Sequence, residues 1–146
     1  KILSINDYDI TLVGLTKEQL NEVPEGINGV TKTSSIIELA ALYSKAHIFV
    51  NPSYADSFPS VNMEALACGL PVITYRTGGS PEIVDSKTGV VVEQGDVVSL
   101  ANSIIYMKGH PLSSTNCRER AERLYNKDER FMDYIKFYEE LIAKNA

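Results

Sequence analysis

The segment from Phe49 to Tyr75, FVNPSYADSFPSVNMEALACGLPVITY, constrains the fold of this chain more than any other. An apolar run ends at Asn51-Pro52, a polar loop follows, and a helical pattern then begins near Ser60 and stops at Gly69. Val72 to Tyr75 is a second apolar run of strand length. The segment therefore predicts a strand, a loop, a helix and a second strand in close succession.

Two acidic residues stand in this unit, Asp56 in the loop and Glu64 in the first turns of the helix. Ligands of open α/β sheets bind at the carboxyl ends of the strands, and both residues closely follow such an end. We interpret them as a candidate ligand-binding pair. Because an isolated pair of this kind is more often solvated surface, the interpretation depends on the residues that flank it.

Strand-like and helix-like patterns alternate through the rest of the chain. The strand-like runs fall at residues 10–14, 27–31, 47–50, 72–75 and 90–92. This alternation predicts an α/β domain with a parallel sheet and helices on both faces. A length of 146 residues fits a single domain, 1–146, on which we expect helices within residues 112–146 to pack.

Composition excludes several classes of protein. A net charge of −5 gives no field that attracts nucleic acid, and no apolar run is long enough to span a membrane. Cys68 and Cys117 belong to no metal-binding motif or disulfide framework, which fits a reducing cytoplasm. The chain begins at Lys1 without an initiator methionine or a signal peptide, so we expect it to be part of a longer protein.

The residues from Asp56 onward resemble the nucleotide-sugar half of retaining GT-B glycosyltransferases of the glycogen-synthase and mannosyltransferase type, known as glycosyl transferases group 1. Their signature is an acidic residue, seven intervening residues, a Glu, a helix of small residues and a Gly-x-Pro-Val turn. In this chain it reads Asp56-Ser57-Phe58-Pro59-Ser60-Val61-Asn62-Met63-Glu64, then Ala65-Leu66-Ala67-Cys68-Gly69-Leu70-Pro71-Val72.

The resemblance implies a Rossmann-like parallel sheet flanked by helices, the C-terminal half of a GT-B fold. That half normally begins with an earlier strand and a loop bearing an Arg and a Lys that meet the donor diphosphate. Because the residues before Ile10 lack that pattern, we expect this first strand to lie upstream of the chain. The acceptor-binding N-terminal domain is likewise expected to lie outside it.

The resemblance also assigns roles to the two carboxylates. Glu64 is expected to accept hydrogen bonds from the ribose hydroxyls, and Asp56 to contact the transferred sugar near the reacting carbon as the catalytic residue. Relatives usually have Glu at the first acidic position. Since Asp56 is one methylene shorter, the sugar must sit closer or the loop must shift.

Further substrate-binding candidates surround this pair. The loop and the positive end of the helix are expected to meet the diphosphate, with Pro59 as the one member that lacks an N–H donor. The glycine turn after the second strand is expected near the donor, and the residues at the end of the 27–31 run near the nucleobase. The candidates are Ser57, Phe58, Pro59, Ser60, Val61, Thr77, Gly78, Val30 and Thr31.

The implied activity is that of a cytoplasmic, retaining hexosyltransferase that uses a nucleoside-diphosphate sugar without a metal or other cofactor. Its acceptor would be a sugar, a lipid-linked sugar or a polysaccharide, and the full-length protein could contact the inner membrane peripherally. The isolated chain is expected to be inactive. Two alternatives remain open, a sugar-nucleotide 2-epimerase and a non-catalytic nucleotide-sugar-binding module. The epimerase motif Ser-Gly-Gly-x-Gln-Glu-Glu differs from Phe58–Glu64.

Overall fold

The computed structural model describes residues 3–4 and 7–145. Within these residues the strands are β1 (Ile10–Val13), β2 (Ile27–Val30), β3 (Phe49–Asn51), β4 (Val72–Tyr75) and β5 (Gly89–Val92). The helices are α1 (Lys17–Asn21), α2 (Ile36–Lys45), α3 (Ser60–Ala67), α4 (Ser80–Ile83), α5 (Val97–Gly109), α6 (Ser114–Tyr125) and α7 (Lys127–Asn145). The order confirms the predicted α/β class.

All strand pairs of the described residues are parallel, but they form two sheets where we expected one. Strand β1 pairs with β2, and β4 lies between β3 and β5. A doubly wound sheet has the strand order 3-2-1-4-5-6, in which the strand preceding β1 would lie between β1 and β3. The observed division is what that order produces when its first strand is not among the described strands. An upstream first strand remains a prediction.

The core lies around the three-stranded sheet, where all four residues of β4 are buried. Alternate β4 side chains face opposite sides, as the pleat requires. Val72 packs in a cluster with residues of α3 and α6, whereas Ile73 and Tyr75 pack with Met107 of α5. Parallel strands covered by helices on both faces read as continuous apolar runs, which explains why β4 was recognisable in the sequence.

Of the two C-terminal helices, α6 packs on the rest of the domain. It buries Cys117 and Ala121, and Arg120 joins it to the end of α4. The guanidinium donates to the carbonyls of Ile83 (2.7 Å) and Glu82 (2.9 Å) and forms a 2.6 Å ion pair with Asp85.

Helix α7, by contrast, buries none of its described residues. Its aromatic stripe remains on the surface, with Phe131, Tyr134, Phe137 and Tyr138 each more than half exposed. No described helix combines the length and the apolar character needed to cross a bilayer.

Candidate functional site

Two loops at the carboxyl ends of neighbouring strands are joined by hydrogen bonds. The Thr77 hydroxyl, after β4, donates to the Ser53 carbonyl in the loop after β3 at 2.9 Å. The Gly79 N–H donates to the Ser57 carbonyl at 2.7 Å. The structure therefore brings the predicted residues Thr77 and Gly78 beside the loop that carries Asp56.

The close approach of these loops requires glycine at positions 78 and 79. Gly78 has a φ of +48°, and a Cβ atom there would overlap the Asp56 carbonyl. A Cβ atom on Gly79 would overlap the ring of Phe58. The glycine pair thus permits contact between backbones and fixes the path of the Asp56 loop.

Asp56 is partly buried and is tied to its own loop. The Phe58 N–H donates to Asp56 Oδ1 at 3.0 Å, which forms an Asx turn. This N–H, a predicted diphosphate donor, therefore already has a partner in the loop. Among the described residues no hydrogen bond reaches the other carboxylate oxygen, Oδ2, so it remains available to a ligand.

The first turn of α3 follows this loop without a side-chain cap. Pro59 occupies the N-cap position, where it is buried and forms no capping hydrogen bond. No acidic residue stands in the first turn. The amides of Ser60 and Val61 therefore belong to the positive end of the α3 dipole, and no side chain caps it.

A buried polar network holds α3 against the strands. Asn62 is completely buried; its Oδ1 accepts from Asn51 Nδ2 at 2.9 Å, and its Nδ2 donates to Thr74 Oγ1 at 3.4 Å. Thr74 Oγ1 in turn donates to the Asn51 carbonyl at 3.1 Å. Because one residue each from α3, β3 and β4 takes part, the network sets the direction of the helix relative to the strand ends.

Glu64 lies one turn into α3 and receives two hydrogen bonds from hydroxyl groups. Ser60 Oγ donates to its Oε1 at 3.2 Å, and the Tyr43 hydroxyl of α2 donates to its Oε2 at 3.5 Å. Burial, together with the adjacent Glu64 charge, raises the pKa of Tyr43 to about 12. Tyr43 was not a sequence candidate, because its helical spacing placed it with the apolar face of α2.

Two further predicted residues, Val30 and Thr31, lie at the end of a strand in a different sheet from the strands that carry the Asp56 and Glu64 unit. Val30 is the last residue of β2 in the two-stranded sheet and Thr31 follows it, and the Val30 carbonyl accepts from the amides of Gly14 (2.9 Å) and Leu15 (3.2 Å). These bonds tie the end of β2 to the loop after β1.

Two open clefts of the described residues, about 480 and 410 Å³, lie away from Asp56 and Glu64. The first lies between Phe58, α6 and α7, and the second between the end of α3 and α6. Asp56 and Glu64 line neither cleft.

No group of three or more His, Cys, Asp or Glu residues in the described ranges could hold a metal ion. The sequence does contain one Asp-x-Asp triplet, Asp7-Tyr8-Asp9, so the expectation of metal independence rests on the resemblance alone. In that triplet Asp9 Oδ1 accepts from Asn28 Nδ2 at 2.8 Å. Cys68 and Cys117 are both free thiols.

Comparison with known proteins identifies relatives of the chain. The sequence profile of the family described as glycosyl transferases group 1 matches residues 1–108. The D-inositol 3-phosphate glycosyltransferase of Corynebacterium diphtheriae is 43% identical over 68 residues, which are 46% of this chain and 16% of that protein. The chain thus spans well under two thirds of the length of such relatives.

Solved structures show the same fold. The sucrose-phosphate synthase of Thermosynechococcus elongatus matches with a TM-score of 0.80 at 28% identity, over 93% of this chain and 39% of that one. HepE of Anabaena, solved in complex with UDP, matches with a TM-score of 0.67 at 19% identity, over 88% of this chain and 40% of that one. At 19% identity the likeness to HepE shows the fold alone.

Proposed function

The chain belongs to the glycosyl transferases group 1 family, and we propose that it binds the nucleoside-diphosphate sugar of a retaining, metal-independent hexosyltransferase. The main support is the loop-and-helix unit after β3. There Asp56 and Glu64 stand on either side of the uncapped first turn of α3, and the turn after β4 is bonded to the same loop. This unit offers carboxylates for sugar hydroxyls and amides for a diphosphate.

We assign Glu64 to the ribose of the donor. An ionised carboxylate has about four acceptor positions on its two oxygens, and Ser60 and Tyr43 use one position on each oxygen. One position per oxygen is then available to the two vicinal ribose hydroxyls. Each such charge-assisted bond contributes roughly 1.5–3 kcal/mol.

We assign the diphosphate to the first turn of α3 and the loop before it. The amides of Ser57, Ser60 and Val61 are the proposed donors, whereas Phe58 and Pro59 shape the loop, since the Phe58 amide is bonded to Asp56. Helix N-termini favour phosphate because of their unpaired N–H groups and positive dipole end. Peptide dipoles alone are insufficient for two phosphates, so we propose that an Arg and a Lys outside this chain complete the site.

Asp56 is the proposed catalytic residue. Its available oxygen would accept from a hydroxyl of the transferred sugar and stabilise the positive charge that develops as the bond to phosphate breaks. The acceptor hydroxyl would attack from the face that the nucleoside diphosphate leaves, so the anomeric configuration would be kept. The Asx turn holds Asp56 in a defined position before the donor arrives.

The remaining candidates have roles at the edge of the site. We propose that Val30 and Thr31 border the nucleobase from the end of β2. Because the Thr77 hydroxyl already donates to Ser53, Thr77 and Gly78 would approach the donor through their backbone.

We further propose that the acceptor, a sugar, a lipid-linked sugar or a polysaccharide, is bound by residues outside this chain. The complete protein would then act in polysaccharide or glycolipid synthesis. It would work in the cytoplasm, and any contact with the inner membrane would also come from outside this acidic chain, whose net charge is −5.

The decisive experiment is to incubate the complete protein with UDP-, GDP- and ADP-sugars, with and without candidate acceptors. A transferase releases nucleoside diphosphate in step with glycosylated product, whose anomeric configuration is read by NMR, and keeps its rate in EDTA. Interconversion of the sugar without acceptor would indicate an epimerase. Binding without turnover would indicate a non-catalytic module, and absence of binding would refute the assignment.

A further inference from the structure

Tyr43 reaches the candidate site from an element that the proposed function does not use. It lies near the end of α2, is 9% exposed, and packs its ring edge-on against Phe49 of β3 at 5.4 Å between centroids. Its neighbours in the core cluster include Leu66 and Val72. The ring is therefore fixed by packing, and its hydroxyl is the one polar atom that it carries to Glu64.

The direction of the hydrogen bond is set by chemistry. An ionised carboxylate can only accept, so the Tyr43 hydroxyl must donate its proton to Glu64 Oε2. Burial raises the pKa of Tyr43 to about 12, which keeps the hydroxyl protonated at any physiological pH. The Tyr43 hydroxyl therefore acts as a donor to one oxygen of the carboxylate throughout the physiological pH range.

The two hydroxyl donors act on different oxygens, Ser60 on Oε1 and Tyr43 on Oε2. The last torsion of a glutamate side chain has a broad energy minimum, so one donor alone would leave the carboxylate plane poorly defined. A donor on each oxygen defines that plane. It also divides the remaining acceptor positions evenly, one per oxygen.

From this geometry we propose that Tyr43 is a positioning residue, which orients the Glu64 carboxylate so that both of its oxygens accept from a vicinal diol. The proposal rests on the proposed function, because the diol is the ribose of the donor nucleotide. The O···O distance of 3.5 Å is long for such a bond, and because hydrogen bonds of this kind often tighten only when a ligand binds, we expect it to shorten when the diol fixes the carboxylate. The consequence is selectivity for ribose over 2′-deoxyribose.

The test compares Tyr43→Phe with the unchanged complete protein by calorimetric titration with UDP, GDP and ADP and with their 2′-deoxy counterparts. Phenylalanine keeps the ring that packs on Phe49 and removes the hydroxyl alone. We expect affinity for the preferred ribonucleotide to fall about 5–10-fold, the typical effect of one hydrogen bond. Affinity for the 2′-deoxy nucleotide should change less than 2-fold, so the ratio between them should shrink.

A matched variant, Tyr75→Phe, removes a hydroxyl from another buried tyrosine, which lies on β4 and packs against Tyr54. Tyr75→Phe should leave the ratio of ribonucleotide affinity to 2′-deoxynucleotide affinity unchanged. Ser60→Ala removes the other donor from an exposed position and should reduce the ratio as Tyr43→Phe does, which provides a test even if Tyr43→Phe unfolds. Thermal unfolding of each variant reports its folding.

The outcomes distinguish a failure of the Tyr43 proposal from a failure of the proposed function. A reduced ribose-to-deoxyribose ratio in Tyr43→Phe and Ser60→Ala, with the full ratio in Tyr75→Phe, supports the role of Tyr43. An unchanged ratio in both site variants, or an equal loss of affinity for both kinds of nucleotide, overturns it while the proposed function stands. If the unchanged protein binds none of the three nucleotides, the proposed function fails and this inference fails with it.

Discussion

Replacement of Asn62 by alanine should destabilise the domain, because Asn62 is the centre of the buried network under the candidate site. The change removes the bonds to Asn51 (2.9 Å) and Thr74 (3.4 Å), and each such bond contributes about 0.5–1.5 kcal/mol. Asn62 is 0% exposed, so the truncation also leaves a small cavity worth about 1 kcal/mol. Thr74 keeps its bond to the Asn51 carbonyl. We therefore expect the free energy of unfolding to fall by about 2–4 kcal/mol.

Urea unfolding followed by circular dichroism measures this change. The matched control is Asn28→Ala, which removes an exposed bond to Asp9 and should cost less than about 0.5 kcal/mol. Asn62→Asp adds a test of burial, since desolvation raises the pKa of a buried carboxyl and the variant should become more stable relative to the unchanged chain as the pH falls from 7 to 4. Equal stabilities of Asn62→Ala and Asn28→Ala would refute the reasoning.

Three further predictions concern Glu64, which we assign to the ribose of the donor nucleotide, and the contact between α6 and the end of α4. Glu64→Gln should weaken nucleotide binding by about 1–3 kcal/mol, measured by calorimetry on the complete protein, and an unchanged affinity would exclude the ribose contact. Arg120→Lys keeps the charge but cannot reproduce the three bonds at the end of α4, so the free energy of unfolding should fall by about 2–4 kcal/mol. The control Arg118→Lys, which changes an exposed ion pair, should lower it by less than about 1 kcal/mol. Partial burial pushes the pKa of Asp85 upward, but the hydrogen bonds that it accepts and the Arg120 charge outweigh this and hold the pKa below its usual value. The Asp85 contribution is therefore present above about pH 4 and lost as the pH falls further, so Asp85→Asn should flatten the acid limb of the stability curve, and an unchanged limb would contradict this.

The local structure around the site was predictable because each boundary has its own signal. Pro59 and Gly69 bracket α3, and Gly69 has the positive φ of +78° that favours glycine after a helix. The continuous apolar run 72–75 became β4 at the predicted residues because it is the buried central strand. Short-range chemistry thus determined these elements.

The features that sequence reasoning missed depend on contacts between distant residues. Apolar residues in β1 favoured a strand, but its pairing with β2 in a sheet separate from β3, β4 and β5 became visible only in the structure of the described residues. The aromatic stripe of α7 has the spacing of a buried face, yet none of its described residues is buried. The spacing of Tyr43 places it on an apolar helix face. A role for its hydroxyl follows only from its contact with Glu64, which lies 21 residues later in the chain.

The most direct test of the account is a crystal structure of the complete protein with its nucleotide sugar bound. We predict a single cavity in which the Glu64 carboxylate accepts from both ribose hydroxyls, the first turn of α3 meets the diphosphate, and Asp56 contacts the hexose. A donor bound away from this loop, or the two carboxyl groups facing different surfaces, would contradict the account.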